Sequence, residues 1–306
     1  VDLYLNDGTG KFTDATERLV ENHYGFGMAH TFADYNADGL MDLLMIGMNS
    51  WTAERLLSMK LAPPTHRHYT ERLGDLTFGN RLYFGDGKKI TQRPMGDHAA
   101  NTGWSWGATS FDDDNDGDPD LYVSNLAGEN RLYRNNGDGT FNDVAERARV
   151  LEPFYSFATW FWDYDNDGHL DLYVASYQID SDGLSSVVKS YLGKPFDEEP
   201  ARLYRGDGEG AFTDVTTEVQ LADDYTLPMG ANFGDLDYDG FLDFYLGTGT
   251  PEYEALMPNV MYRNQRGQKF TDITFSGRFG HLQKGHAVAF ADLDRDGDLD
   301  VFAQTG

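Results

Sequence analysis

The sequence has no cysteine, few basic residues and no long apolar run. Its 306 residues include 24 Lys and Arg against 51 Asp and Glu, which gives a net charge of −27. The absence of cysteine excludes disulfides, zinc–thiolate sites and cysteine nucleophiles. The acidic balance disfavours binding to nucleic acid or to an anionic membrane, and no segment reaches the roughly 18 apolar residues that a membrane span needs. We therefore expect no nucleic-acid partner and no membrane span.

Common catalytic motifs are also missing. The sequence contains no Gly-x-Ser-x-Gly motif, no phosphate-binding loop and no dinucleotide-binding fingerprint. Pairs of Asp and Glu are too frequent in this chain to indicate a glycosidase. The sequence therefore predicts that the protein is not an enzyme.

Two alternating motifs dominate the sequence instead. An Asp-rich motif of nine residues, typified by DYDNDGHLD, appears five times, and we number the copies loops 1 to 5: 34–42, 112–120, 163–171, 235–243 and 292–300. A second motif, typified by LYRGDGEGAFTD, alternates with the first at 3–14, 132–143, 203–214 and 261–272, with a weaker copy at 82–92. Apolar runs flank each Asp-rich loop, and a Gly-rich turn divides the second motif. Each repeat thus predicts four short strands, A to D, with the Asp-rich loop between A and B and the Gly-rich turn between C and D.

Repeats of four short antiparallel strands are typical of β-propeller blades. We therefore predict an all-β fold, a single β-propeller domain over residues 1–306 that is built from four-stranded antiparallel blades. The chain opens on a C–D pair and closes on an A–B pair, which would give five blades if the chain is complete and more, up to seven, in a longer parent. The variable inserts, at about 48–79, 176–201 and 248–259, fall in B–C connections, so we expect them at the end of each blade away from the Asp-rich loops.

The Asp-rich loop has the spacing of a calcium site. Calcium takes 6–8 oxygen ligands, and acids at positions 1, 3 and 5 of a curled loop can point inward together while Gly at position 6 makes the turn. The first half of the loop matches the EF-hand motif, but its last acid comes at position 9, at the start of strand B. Magnesium fits poorly, because it needs a small octahedron and retains its water. We therefore predict up to five structural Ca²⁺ ions.

The predicted ligands occupy the same positions in every loop. The side-chain ligands, at positions 1, 3, 5 and 9, are Asp34, Asn36, Asp38 and Asp42; Asp112, Asp114, Asp116 and Asp120; Asp163, Asp165, Asp167 and Asp171; Asp235, Asp237, Asp239 and Asp243; and Asp292, Asp294, Asp296 and Asp300. The backbone carbonyl ligands, at position 7, are Leu40, Asp118, His169, Phe241 and Asp298. Loop 1 is predicted to bind most weakly, because Asn36 gives it one charge fewer. Since the carboxylates of a metal-free loop repel one another, we expect metal binding to contribute to folding.

Three longer runs carry a family resemblance: SFATWFWDYDNDGHLDLYVASY (156–177), LYRNNGDGTFNDVAE (132–146) and KGHAVAFADLDRDGDLDVF (284–302). The chain resembles the FG-GAP/VCBS repeat proteins, which include the integrin α-subunit propellers, and most of all the cartilage acidic protein (ASPIC/UnbV) family. The resemblance covers essentially the whole chain. It implies a secreted or cell-surface propeller, often of seven blades, with calcium in the Asp-rich loops and a role in binding or adhesion.

Two further features lead to structural predictions. Trp104, Trp106, Trp160 and Trp162 alternate along predicted A strands, and we expect them to pack between blades; a sugar-stacking platform is the alternative. The first insert is predicted to contain a short helix over 49–61, stopped by Pro63 and Pro64. Its basic and aromatic residues favour a partner contact, and capping of its own blade is the alternative.

The sequence leaves two functions open. The first is a non-enzymatic, calcium-stabilised propeller that binds a protein partner or assembles on a surface through the insert face, in an extracellular, cell-surface or periplasmic location. The second is a carbohydrate-binding lectin or a polysaccharide-active enzyme on the same scaffold. Equivalent pockets in successive blades would favour a lectin, and basic residues, His or Tyr gathered at one funnel would favour an enzyme.

Overall fold

The computed structural model describes residues 1–49, 55, 58–59, 67–179, 183–250 and 257–305. The strands are β1 Tyr4–Asn6, β2 Phe12–Asp14, β3 Gly27–Ala33, β4 Asp42–Gly47, β5 Arg81–Gly85, β6 Ile90–Arg93, β7 Ser105–Phe111, β8 Asp120–Asn125, β9 Arg131–Asn135, β10 Phe141–Asp143, β11 Ser156–Trp162, β12 Asp171–Ser176, β13 Arg202–Gly206, β14 Phe212–Asp214, β15 Pro228–Gly234, β16 Asp243–Thr248, β17 Val260–Asn264, β18 Phe270–Asp272, β19 Gly285–Ala291 and β20 Asp300–Thr305. The described helices are short: α1 Thr16–Leu19, α2 Arg67–Leu76, α3 Asp97–Ala100, α4 Ala145–Ala148 and α5 Gly183–Tyr191. The predicted all-β class is confirmed.

The strands form sequential antiparallel sheets. Four sheets are complete, and we call them blades 1 to 4: β3–β6, β7–β10, β11–β14 and β15–β18. The pairs β1–β2 and β19–β20 form two-stranded sheets. In each complete sheet the first two strands flank an Asp-rich loop and the last two flank a Gly-rich turn. The predicted A-to-D pattern is therefore confirmed, and a four-stranded meander of this kind is the blade of the β-propeller fold class.

The second strand of each blade is completely buried. Every residue of β4, β8, β12 and β16 is buried, which explains why the residues after the first Asp form a short apolar run and do not alternate with polar ones. In blade 3, Tyr173 of β12 lies opposite Trp160 of β11 and Leu203 of β13. Each of these buried strands begins at position 9 of an Asp-rich loop, so the loop is anchored at the most rigid part of its blade.

The chain divides into two compact units, Val1–Ala145 and Glu146–Gly306. In the first unit, a core that includes Leu44 and Leu121 joins blades 1 and 2. In the second unit, a core that includes Trp162 and Phe244 joins blades 3 and 4. The single domain over residues 1–306 stays a prediction.

The predicted packing of the tryptophans is confirmed for two residues and wrong for a third. Trp160 and Trp162 are 8% and 2% exposed, and Trp162 stacks on Phe270 of the next blade with the ring centroids 5.7 Å apart. Trp104 is 53% exposed; it precedes β7 at the strand end, where its backbone pairs with Met48 after β4 while its side chain faces solvent. Trp106, in β7, is half-buried.

The B–C connections leave the blades at the ends opposite to the Asp-rich loops, as the antiparallel order requires. The helix predicted over 49–61, with Pro63 and Pro64, falls largely outside the described residues. The helices α2 and α5 lie in the first and second inserts and were not predicted. Among the described helices, none has the length and apolar character that a membrane crossing requires.

Candidate metal centres

All five Asp-rich loops share one backbone conformation. At position 4 the φ angle lies between 55° and 63°, at Ala37, Asn115, Asn166, Tyr238 and Arg295. Gly at position 6 has a φ from 84° to 99° in the five loops, a region that glycine enters without steric cost. The turn predicted at position 6 is therefore present. The left-handed residue at position 4 was not predicted, although asparagine, found there in loops 2 and 3, tolerates this conformation.

Carboxylates hold the curl of each loop. The position 1 carboxylate accepts the N–H of position 5 at 3.0–3.2 Å and the N–H of position 6 at 2.7–3.1 Å. The position 5 carboxylate accepts the N–H of position 7 at 2.8–3.0 Å. This bond fixes the residues whose carbonyls are predicted ligands: Leu40, Asp118, His169, Phe241 and Asp298. The same three hydrogen bonds in five loops show that the motif encodes one structure.

In blades 1 to 4 the aspartate at position 9 is buried and accepts hydrogen bonds from both its own loop and strand C, a link that we call a bracket. In blade 3, Asp171 is fully buried; its Oδ2 accepts the N–H of Tyr164 and its Oδ1 that of Gly206, both at 3.0 Å. Both bonds recur in the other complete blades. In loop 5, Asp300 is exposed and accepts the N–H of Leu293 at 2.9 Å. We predicted position 9 only as a ligand, and its role as a structural bracket was missed.

The structure brings predicted ligands together in four loops. Carboxylate oxygens of positions 1, 3 and 9 lie within 4.8 Å of one another in loops 2, 3 and 5, and those of positions 1, 3 and 5 do so in loop 4. These groups are Asp112, Asp114 and Asp120; Asp163, Asp165 and Asp171; Asp235, Asp237 and Asp239; and Asp292, Asp294 and Asp300. Four predicted side chains lie on the same loops outside these groups: Asp116, Asp167, Asp243 and Asp296.

Loop 1 differs from the other four. Its acids, Asp34, Asp38 and Asp42, are not among the groups of three acids found in the described residues. Asn36 occupies position 3 and donates a hydrogen bond from Nδ2 to Asp38 Oδ2 at 3.1 Å. The loop keeps the shared backbone conformation, so it differs in its donor atoms and charge and not in its curl.

Burial raises the pKa of the position 9 carboxylates of loops 1 to 4 in the metal-free chain. Burial, reinforced by neighbouring loop carboxylates and opposed by the N–H donors, raises the pKa of Asp171 to about 8 and that of Asp243 to about 6. The pKa values of Asp42 and Asp120 are also raised, chiefly by burial. A bound cation would favour the charged form of these carboxylates.

In blades 2 and 4, an arginine on strand C faces position 3 of the loop. Arg134 Nε lies 3.2 Å from Asp114 Oδ2, and a nitrogen of Arg263 lies 3.7 Å from Asp237 Oδ2. In blade 1 the equivalent strand residue is Phe84, and position 3 is Asn36. Loop 1 thus lacks both the carboxylate at position 3 and the arginine that would face it. The missing negative charge, which was the reason to expect the weakest calcium binding in loop 1, is therefore accompanied by a missing positive charge. The pairing of this arginine with the position 3 carboxylate was not predicted. The change from Leu-Tyr-Arg to Leu-Tyr-Phe in the second motif, together with Asn36 at position 3 of loop 1, could have indicated it.

The donor set fits calcium. The grouped atoms are carboxylate oxygens that lie within 4.8 Å of one another, and oxygens this close can share one calcium ion, because two ligands at a Ca–O distance of about 2.4 Å lie at most about 4.8 Å apart. Asp114 Oδ1 is buried and has no hydrogen-bond partner in the described part of the chain. A buried carboxylate oxygen without a donor is costly, and coordination to a cation would satisfy it.

Four-stranded meanders with an Asp-rich loop between the first two strands define a blade-repeat protein with candidate cation centres. The family model for FG-GAP-like repeats matches residues 1–45, 112–174, 179–246 and 252–303. The chain belongs to the FG-GAP-like repeat family, as the sequence motifs predicted.

The chain is also similar to cartilage acidic protein 1 of Mus musculus. The two are 26% identical over 208 residues, which cover 64% of this chain and 30% of that protein. The chain therefore spans under a third of the length of this relative. The sequence similarity agrees with the predicted resemblance to the cartilage acidic protein family.

Two solved structures have a distant likeness to the chain. The Trypanosoma rangeli sialidase in complex with the inhibitor DANA has a TM-score of 0.45 and 10% identity over 98% of this chain and 46% of the sialidase. The same enzyme in complex with sialic acid has a TM-score of 0.42 and 10% identity over the same shares. This level of similarity assigns neither an activity nor a ligand to the chain.

Proposed function

We propose that the protein is a calcium-binding interaction module that works outside the cytoplasm. The observation that carries the proposal is the loop geometry: five loops repeat one hydrogen-bonded curl, and four of them gather three carboxylates within 4.8 Å. Like charges this close repel one another, so a repeated arrangement of this kind favours a bound cation.

Calcium is the cation that the donor chemistry favours. The groups supply only hard oxygen ligands, without the thiolates or imidazoles typical of zinc. Positions 1, 3, 5 and 9 would supply carboxylates, with Asn36 in loop 1, and position 7 would supply a carbonyl. The bound ion would supply positive charge that offsets the repulsion, and its binding free energy would add to folding stability.

The interaction itself is proposed to use the opposite ends of the blades, where the inserts lie. Segments that vary in length on a rigid scaffold are the usual place for recognition. Helix α5, in the second insert, exposes Val188, Tyr191 and the adjacent Leu192, which are 46%, 51% and 62% exposed. We propose a protein partner for this face, an extracellular or periplasmic location, and no catalytic activity.

A calcium titration of the chelator-treated protein tests the metal assignment. Each specific site at about 100 times its dissociation constant adds about 2.7 kcal/mol to the free energy of unfolding. We expect a large rise in melting temperature with calcium, little with magnesium, and a loss of one bound ion in Asp163→Asn/Asp165→Asn. An unchanged melting temperature after calcium addition would reject the proposal.

The interaction face has its own test. Capture of an extracellular partner should survive the loop 3 substitutions in saturating calcium, because the other loops still stabilise the fold. It should fall on Val188→Asp/Tyr191→Asp, which changes exposed side chains of α5 without touching the core. The reverse pattern would place recognition at the loops.

A further inference from the structure

A buried asparagine joins two neighbouring Asp-rich loops in the second unit. Asn264, at the end of β17, is 2% exposed, and its side-chain amide donates to Tyr164 O of loop 3 at 2.8 Å and to Leu242 O of loop 4 at 3.1 Å. Its backbone N–H donates to Asp243 Oδ1 at 2.7 Å. Its Oδ1 accepts the N–H of Gly267 at 2.8 Å, which fixes the orientation of the amide. One residue is therefore bonded to position 2 of loop 3 and to position 9 of loop 4.

The first unit contains the same bridge. Asn135, at the end of β9, is 4% exposed, and its amide donates to Tyr35 O of loop 1 at 2.8 Å and to Pro119 O of loop 2 at 3.2 Å. Its backbone N–H donates to Asp120 Oδ1 at 2.9 Å. Each bridge joins residues that are 100 positions apart in sequence, so the two units repeat the arrangement.

A buried tyrosine at position 2 supports each bridge. Tyr35 and Tyr164 are 0% and 1% exposed. Tyr35 packs against Phe141 with the ring centroids 5.9 Å apart, and Tyr164 packs against Phe270 at 6.0 Å. Each aromatic partner lies on the last strand of the following blade, so the tyrosine is held by the same blade that supplies the asparagine.

These contacts complete a short hydrogen-bonded path between two candidate ligands. In the second unit, the N–H of Tyr164 donates to Asp171 Oδ2 at 3.0 Å, and the carbonyl of the same tyrosine accepts from Asn264. The backbone N–H of Asn264 in turn donates to Asp243. The path therefore runs from position 9 of loop 3 to position 9 of loop 4 through buried groups.

The bridge belongs to alternate blades. At the position of Asn135 and Asn264, blades 1 and 3 have Gly85 and Gly206. Both glycines keep the backbone bond to the position 9 carboxylate, at 2.9 and 3.0 Å, but have no side chain to reach a second loop. At Gly206, a Cβ atom would lie 2.2 Å from Leu170 O, so the closer backbone contact leaves no room for one.

We propose that Asn135 and Asn264 are positioning residues that couple cation binding between neighbouring loops, so that loops 1 and 2, and loops 3 and 4, fill as cooperative pairs. This inference rests on the proposed calcium function. An ion in loop 3 fixes Asp171 and, through it, the Tyr164 peptide that holds Asn264. Part of the ordering of loop 4 is then complete before its own ion binds. The coupling is reciprocal, because binding free energies are linked.

Terbium(III) provides a readout for loops 3 and 4. It is a hard, oxygen-seeking ion that luminesces when a nearby tryptophan is excited. Trp162 directly precedes loop 3, and its ring packs against Phe233 and Phe244, which flank loop 4, with the centroids 5.5 and 5.6 Å apart. Tryptophan-sensitised terbium emission that calcium displaces therefore reports occupancy of loops 3 and 4, and it reports loop 3 alone when loop 4 is disabled.

The test disables loop 4 and follows loop 3. In the wild-type background the emission should rise cooperatively, and Asp235→Asn/Asp237→Asn should remove the cooperativity and raise the terbium concentration at half-maximal emission by about 5-fold or more, the lower end of typical coupling. In the Asn264→Gly background, which gives blade 4 the glycine found in blades 1 and 3, the emission should rise without cooperativity, and the same substitutions should remove only the loop 4 part of it. The matched control disables loop 5 with Asp292→Asn/Asp294→Asn and should have no effect, because Asn264 does not contact loop 5.

The outcomes separate the two proposals. Absence of calcium-displaceable emission in the wild-type protein would reject the calcium function itself. Emission with an equal effect of loop 4 in both backgrounds would reject the coupling role of Asn264. Should Asn264→Gly fail to fold, Asn264→Asp removes the amide donors with little change of shape. An effect of loop 4 on loop 3 that persists in Asn264→Asp would then overturn the proposal.

Discussion

Arg134 on β9 forms a two-point ion pair with Asp113 in loop 2. Its Nε lies 3.2 Å from Asp113 Oδ1 and its Nη2 lies 3.1 Å from Oδ2, and the Asp113 side chain is completely buried. Removal of one partner from a buried ion pair leaves an uncompensated charge and costs about 3–5 kcal/mol. We expect Arg134→Met to lower the free energy of unfolding by this amount, measured by urea denaturation with a chelator present.

The matched control for this prediction is Arg205→Met in the next blade. Arg205 lies 3.9 Å from Glu218, and the two side chains are 38% and 66% exposed. Exposed pairs contribute up to about 1 kcal/mol, so this variant should be close to the wild-type protein. Equal losses in the two variants would contradict the importance of the buried pair.

Asp171 is predicted to stabilise the fold even without metal. Asp171→Ala leaves two buried N–H groups, on Tyr164 and Gly206, without acceptors. Each unsatisfied group costs about 1–3 kcal/mol, and the loss should appear in the presence of a chelator. Asp300→Ala is the comparison, because Asp300 is exposed and accepts one such bond. A loss for Asp171→Ala no larger than that for Asp300→Ala would contradict a stabilising role of position 9 without metal.

The metal-free protein is predicted to lose stability as the pH rises. The pKa of Asp171 rises from an ordinary value of 3.8 to about 8 on folding, so the folded chain keeps a proton that the unfolded chain releases. The stabilising contribution is therefore complete below about pH 4 and is lost as the pH rises towards 8. Urea denaturation at several pH values with a chelator should show this slope. Asp171→Asn, which does not titrate, should have a flatter profile, and an unchanged slope would argue against the raised pKa of Asp171.

Calcium binding should release protons at neutral pH. A carboxylate must be charged to bind the ion, and the pKa of Asp171 places it largely in the protonated form in the metal-free chain. Calorimetric titrations in two buffers with different ionisation enthalpies should therefore give different observed binding enthalpies at pH 7. Identical enthalpies in the two buffers would mean that the carboxylates are already charged.

The two kinds of tryptophan environment predict different mutational costs. Trp162 is 2% exposed and stacks on Phe270, so Trp162→Ala should cost about 3–5 kcal/mol. Trp104 is 53% exposed, and Trp104→Ala should remain within about 0.5 kcal/mol of the wild-type protein. Thermal denaturation of both variants in calcium checks the difference, and a large loss in Trp104→Ala would contradict the assigned surface position.

The sequence predicted the strands because their signals are local. Apolar runs, a Gly-rich turn and a fixed loop length determine where strands A to D begin and end, and β11 to β14 follow the predicted order. The curl of the Asp-rich loop was equally predictable, since glycine at position 6 and the spaced acids act within nine residues.

The missed features depend on contacts between distant segments. The bracket at Asp171 needs the N–H of Gly206, 35 residues away, and the bridge at Asn264 needs a carbonyl 100 residues away. A spacing argument within one motif cannot reveal such partners. The alternation of Asn and Gly at the end of strand C was nevertheless visible in the sequence, and it would have indicated that successive blades differ in structure.

The asparagine bridges also have a consequence for how such a chain can change in length. The bridge, the tyrosine that supports it and the phenylalanine on which that tyrosine packs recur together as Tyr35, Asn135 and Phe141 and again as Tyr164, Asn264 and Phe270. The smallest segment that can be duplicated or deleted without separating these partners is therefore two blades and not one. Loss of a single blade would place a glycine beside a loop whose position 2 tyrosine is bonded by an asparagine. We therefore expect such a chain to gain or lose blades two at a time.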